Sequence, residues 1–92
     1  MAPNPDRRAW TVRTGADLGR AVAGVRAEKG LTQQRLAEVA GIDRSYLARL
    51  EAGASVRYIE RALRALRRMG ADVIISVPRA DVNVPPAESD GP

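Results

Sequence analysis

Asp43, Arg44, Ser45, Tyr46 and Arg49 crowd into about two helical turns, and their types limit what chemistry this chain can do. A guanidinium addresses two acceptors at once, a hydroxyl donates or accepts, and a carboxylate only accepts. Thr32 and Gln33 add neutral polar groups at the start of the preceding helix. Such a set suits recognition by hydrogen bonds. It does not suit catalysis, because the chain has neither His nor Cys. Ser45, Ser55, Ser76 and Ser89 therefore lack the usual general base. Disulfides, thiol nucleophiles and zinc sites built on Cys or His are excluded, and no pair of acids stands at catalytic spacing. We expect no enzyme, no cofactor and no metal.

Those residues need a scaffold, and the local signals supply one. Thr14 and Asp17 have the spacing of a capping box, opening a helix that runs to about Lys29 and stops at Gly30. Leu18, Val22 and Val25 form its apolar face, while Gly19 and Gly24 each weaken it by about 1 kcal/mol. Thr32 caps a second helix, with Leu36, Val39 and Ala40 on one face and Ala37 at the point where a larger side chain would push its neighbour away. Gly41 stands where the turn needs φ > 0, and Ile42 is placed to plug the gap. Asp43 caps a third helix, whose Leu47 and Leu50 face inward and which ends before Gly53. These constraints coincide in the pattern of a helix-turn-helix, a motif that lays its second helix in the major groove of DNA.

Farther on, Ser55 is the expected cap of a fourth helix that ends at Gly70, with Val56, Ile59, Leu63 and Leu66 buried. Arg57, Arg61, Arg64 and Arg68 form a second stripe on it. A solvated face is the plain reading of that stripe; DNA phosphates or an acidic partner are the alternatives. Residues 72–77 are β-branched and stop at Pro78, so they read as the one convincing strand, apolar on both faces: Val73, Ile75 and Val77 on one, Ile74 on the other. Its ladder partner is either residues 10–12 or the same strand of a second copy. We expect the latter, giving an isologous dimer. Trp10 is expected to pack over the core edge. Residues 1–13 then form a disordered or short-strand arm, 14–79 the domain, and 80–92 a disordered acidic tail.

Charge is distributed to match. Residues 1–70 hold 14 Lys and Arg against 7 Asp and Glu, whereas residues 71–92 hold Arg79 against Asp72, Asp81, Glu88 and Asp90. A basic helical body suits a polyanion. No apolar run is long enough for a membrane span and the first residues lack a secretory core, so a cytoplasmic, nucleoid-associated protein is expected.

Leu31-Thr32-Gln33, Leu36-Ala37, Gly41-Ile42 and Leu50-Glu51-Ala52-Gly53 together resemble the XRE family of phage repressor and Cro-like proteins. Residues 14–79 as a whole are similar to the HipB-type antitoxins, through Asp17-Leu18, the Gly30-Leu31-Thr32-Gln33 junction and the Val73-Ile74-Ile75-Ser76-Val77 strand. The resemblance implies a mainly α, lambda-repressor-like fold of four helices with one C-terminal strand paired across a homodimer. It implies an operon repressor bound to an inverted-repeat operator in double-stranded DNA, with a HipA-like kinase toxin as partner. Gln33 would touch the DNA backbone and brace the recognition helix, and Arg26 would pair with Glu51 inside the fold. From the residues themselves, Arg44 is the best reader of guanine, Ser45 and Arg49 lie on the same exposed face, and Tyr46 reaches phosphate or its own helix. Asp43 is read as a cap in preference to a cytosine acceptor. A free-standing XRE regulator without a toxin, and a protein-interaction adaptor that binds no DNA, are the competing functions.

Overall fold

In the computed structural model, residues 5–54 and 56–80 are described. The elements run β1 (Arg7–Thr11), α1 (Gly15–Glu28), α2 (Gln33–Ala40), α3 (Arg44–Glu51), α4 (Arg57–Arg68) and β2 (Ile74–Pro78). Local chemistry explains where the helices start and stop. Thr14 Oγ1 accepts the Asp17 N–H, and the Asp17 carboxylate accepts the Thr14 and Arg13 N–H groups. Those two backbone donors, with Arg20 nearby, hold Asp17 below the usual carboxylate range, the Arg13 bond contributing most. Between α2 and α3 the chain reverses at Gly41, which adopts φ 71, and the Ile42 N–H returns to the Ala37 carbonyl at 3.0 Å. A Cβ is strained in that left-handed conformation, so glycine suits this turn.

α1 is the hub. Its flank buries Ala21 with Val12 and Leu63, and Trp10, Leu18, Ile59, Val73 and Ile75 pack around that nucleus. The two glycines expected to weaken α1 have contact roles instead. A Cβ on Gly19 would drive into the Leu50 carbonyl oxygen, so its absence lets α1 and α3 touch backbone to backbone. A Cβ on Gly24 would meet the Trp10 indole. At the other end, Gly15 N–H donates to Glu60 Oε2 at 2.7 Å, which ties α4 to the start of α1. α4 begins at Arg57 after Val56, an N-cap that makes no side-chain hydrogen bond; the expected cap, Ser55, lies outside the described residues.

The strand expectation needs correction. β2 does not lack a partner in its own chain: it pairs antiparallel with β1, Arg7 opposite Pro78, Trp10 opposite Ile75 and Thr11 opposite Ile74. Proximity decides this, since Val12 N–H bonds the Val73 carbonyl at 2.8 Å and brings the two chain segments alongside. The strand in the arm runs from Arg7 to Thr11, the short-strand alternative for this stretch. Arg8 lies over the Trp10 ring at 4.8 Å and reaches Glu28 at 3.0 Å, lowering the Glu28 carboxyl. Two apolar expectations also fail. Val39 is 65% exposed, and Ile42 is exposed rather than plugging the turn. Ala37 is the buried residue of α2, so a small side chain makes that helix's contact with the core. Of the tail expected over residues 80–92, residues 81–92 lie outside the described residues, and Ala80 donates its N–H to Glu28.

Candidate nucleic-acid interface

α3 is fixed at both ends by side chains. At its start Asp43 has extended backbone (φ −71, ψ 131), and its carboxylate accepts the Ser45 N–H at 3.2 Å and the Ser45 hydroxyl at 2.9 Å. Those bonds, side chain first, hold Asp43 below the usual carboxylate range, and the Arg49 charge adds to the effect. Asp43 is thus a cap, with its lone pairs turned toward its own helix. Ser45 has committed its proton to Asp43, so the oxygen faces outward as an acceptor.

The far end of α3 is anchored through Glu51. Arg26 donates to it twice, Nε and Nη2 each at 2.8 Å, and Gln33 Nε2 donates at 3.0 Å. Arg26 Nη1 closes the network on the Leu31 carbonyl at 2.9 Å. The Glu51 side chain is 6% exposed and the Arg26 side chain 22%. Burial pushes the Glu51 carboxyl up, but the Arg26 bond outweighs it and, with Gln33, holds the group below its ordinary range; Glu51 raises Arg26 in return. One carboxylate therefore fastens α1, the α1–α2 junction, the start of α2 and the end of α3. Arg26 and Glu51 meet here as an internal pair. Gln33, half-buried, spends its amide N–H on bracing this network.

Between these anchors Leu47 is fully buried and Leu50 half-buried, so the opposite face must look outward. Ser45 and Arg49, four residues apart, share that face, with Arg44 at its first turn and Tyr46 at its margin, all exposed. Among the described residues no salt bridge engages Arg44 or Arg49. Thr32 caps α2 through the Arg35 N–H at 3.0 Å, and the Gln33 bond to Glu51 brings the start of α2 to the last turn of α3. A helix start with unsatisfied N–H groups favours a phosphate oxygen. The arrangement offers two exposed guanidinium forks, one hydroxyl acceptor and a capped helix N-terminus on an anchored base.

Of the strand residues, Val77 is buried and Val73 and Ile75 pack into the chain's own core, while Ile74 is exposed on the outer face of the sheet. Gly19 is the functional position that residue typing missed. It sets how closely α3 approaches α1, and only a glycine opposite a predicted helix end could have hinted at that. Among the described residues no group of His, Cys, Asp and Glu could hold a metal ion, and no helix is long and apolar enough to cross a membrane.

Comparison with known proteins agrees with this geometry. The family model for Helix-turn-helix matches residues 23–68, which cover the second half of α1, the turn unit and α4. An HTH-type transcriptional regulator of Sinorhizobium fredii, y4mF, itself uncharacterized, is 37% identical over 67 residues, spanning 73% of this chain and 88% of its own length. No solved structure matches the chain. With a tightly crossed α2–α3 pair, a glycine at the turn and a family match over half its length, the chain belongs to the XRE family of helix-turn-helix proteins.

Proposed function

We propose that this protein is a sequence-specific DNA-binding transcriptional repressor that acts as a dimer. The observation that carries the reading is α3, anchored by Asp43 and Glu51, presenting Ser45 and Arg49 on its outward face with Arg44 exposed at its first turn. In this reading α3 enters the major groove, and the Arg44 fork takes the O6 and N7 of guanine. Arg49 and Ser45 read or steady the neighbouring pairs. Thr32, at the N-terminus of α2, and Tyr46 contact backbone phosphates. Gln33 serves chiefly as the brace of the recognition helix. The resemblance of the Arg26–Glu51 pair to that of phage repressors supports this assignment.

The dimer reading rests on β2. Its inner edge is filled by β1, and among the described residues no strand pairs with its outer edge, which would take the same strand of a second copy with Ile74 crossing the two-fold axis. Two recognition helices held this way address half-sites about 34–36 Å apart. Footprinting after selection from random duplexes tests the whole reading: an inverted repeat is expected, and a single asymmetric half-site would exclude the symmetric dimer. Ile74→Glu should leave the fold intact and yield a monomer by sedimentation. The finer role, antitoxin of a HipA-like kinase that represses its own operon, is supported by the resemblance across residues 14–79. A kinase gene beside this one, whose product is inhibited by the purified protein, is the expected finding. Its absence would leave a free-standing regulator.

A further inference from the structure

α4 carries a surface that DNA reading by α3 does not use. With 3.6 residues per turn, Arg57, Arg61, Arg64 and Arg68 fall within an arc of about 60°. Tyr58, Ala62, Ala65 and Met69 form a second row, about 100° farther round. The buried row of Ile59, Leu63 and Leu66 lies beyond both. All eight residues of the two outer rows are exposed, Tyr58 by 80% and Met69 by 74%. Among the described residues no salt bridge engages the four arginines. Glu60, the acid of this helix, is turned to the Gly15 N–H instead.

We propose that this face docks an acidic amphipathic helix of another protein, its apolar row against Tyr58, Ala62, Ala65 and Met69 and its carboxylates against the arginine row. Charge complementarity selects that occupant. Arg57 with Arg61, Arg61 with Arg64 and Arg64 with Arg68 stand at the spacings where like charges repel along a helix, and an anionic neighbour relieves them directly. A second copy packed antiparallel about a two-fold axis would set the two arginine rows against each other. Duplex DNA would satisfy the arginines but leave an apolar strip of about 18 Å against phosphate and water. A helix with one carboxylate row beside one apolar row satisfies both. Carboxylates also accept the arginine fork in two parallel bonds, which fixes register.

The test uses the full chain and a labelled synthetic helix of about 18 residues, with Leu at i, i+4, i+7 and i+11 and Glu in the adjacent row. Micromolar binding at about 0.15 M salt is expected. Replacing the peptide's Glu row by Gln, or its Leu row by Ser, should each weaken binding by about tenfold or more. So should R61E combined with R64E, and so should Ala62→Asp or, if that variant unfolds in a thermal scan, Ala65→Asp. Equal binding of the Gln peptide, or indifference to both the arginine and the alanine changes, overturns the proposal. A salt slope on random duplex DNA that drops by about two in the R61E/R64E variant assigns the face to phosphates and overturns it as well. Self-association lost on Ala62→Asp names a second copy as occupant. Tighter peptide binding by a chain cut after Ala80 names residues 81–92. Either result overturns the assignment to another protein, and none of these outcomes bears on how α3 reads DNA.

Discussion

α3 and α4 both present arginines to solvent, yet they are built on opposite plans. α3 has a side-chain cap, a buried leucine and a carboxylate holding its last turn through three donated bonds. α4 has no side-chain cap at Val56, and its arginine row lies where among the described residues no acid pairs with it. The difference separates two uses of the same side chain. A guanidinium that must find two atoms of one base needs a platform fixed to fractions of an ångström. One that meets a field of negative charge does not. The predictions below strain one helix while sparing the other.

The largest effect is expected at the rear anchor of α3. Arg26→Met leaves the Glu51 charge buried and should cost about 3 kcal/mol in thermal unfolding. Arg61→Met on α4 should stay within about 0.5 kcal/mol. Arg26→Met with Glu51→Met should cost less than the sum of the single changes, and additive losses would show that the two side chains do not interact. pH sharpens the point. Because the folded carboxyl of Glu51 is depressed, its contribution is present above the unfolded value of about 4 and is lost as pH falls through the folded value. The wild-type chain should therefore lose stability faster than Glu51→Gln on acidification below about pH 4.

Next comes Gly19→Ala. Helix propensity alone predicts a gain of about 1 kcal/mol. The approach to the Leu50 carbonyl predicts the reverse, a loss of about 2 kcal/mol, because backbone cannot yield as a side chain can. Gly24→Ala meets an indole that can shift, so its loss should be smaller. A stabilised Gly19→Ala protein would break the claim that α1 and α3 touch backbone to backbone.

These glycines also mark how far the sequence was legible. Thr14, Thr32, Asp43 and Gly41 announced helix boundaries correctly because a cap or a turn is decided within four residues. Gly19 and Gly24 read as flaws because their partners, Leu50 and Trp10, are distant in sequence and invisible to a local rule. The same blindness affected Val39 and Ile42, whose apolar character says nothing of whether the fold covers them. β1 was underestimated because Arg7 and Arg8 look like solvent residues; Arg8 earns its place through Trp10 and Glu28. On α3, residue typing singled out Arg44, Ser45 and Arg49, and all three are exposed. It did not find that Ser45 spends its proton on Asp43.

On DNA the two helices should part company again. Arg44→Ala should weaken the selected site about 10- to 100-fold and relax preference at one base position. Arg61→Ala should leave affinity for every sequence nearly unchanged, measured by titration at two salt concentrations. Equal loss on every duplex for Arg44→Ala would reassign it to phosphate. The smallest effect is a gain: Val56→Thr adds a hydroxyl at an N-cap whose backbone is already extended (φ −118, ψ 120), and should stabilise α4 by about 0.5 kcal/mol.

The pairing of Arg7 with Pro78 has a kinetic consequence. Helix contacts such as those between α2 and α3 close short loops and can form early. The β1–β2 ladder joins the two ends of the domain, so it forms only after nearly the whole chain has been gathered, against the loop entropy of all that lies between. The helical unit that carries α3 can therefore organise before the sheet. The same order in reverse makes the ladder the first part to open. Amide exchange should find the β1 and β2 protons released at lower free energy than those of α1 and α3. Joining residue 80 to residue 5 through a short linker and opening the chain at Gly53 would turn that slow closure into a local hairpin. Such a permuted domain should fold faster without any change to the face of α3.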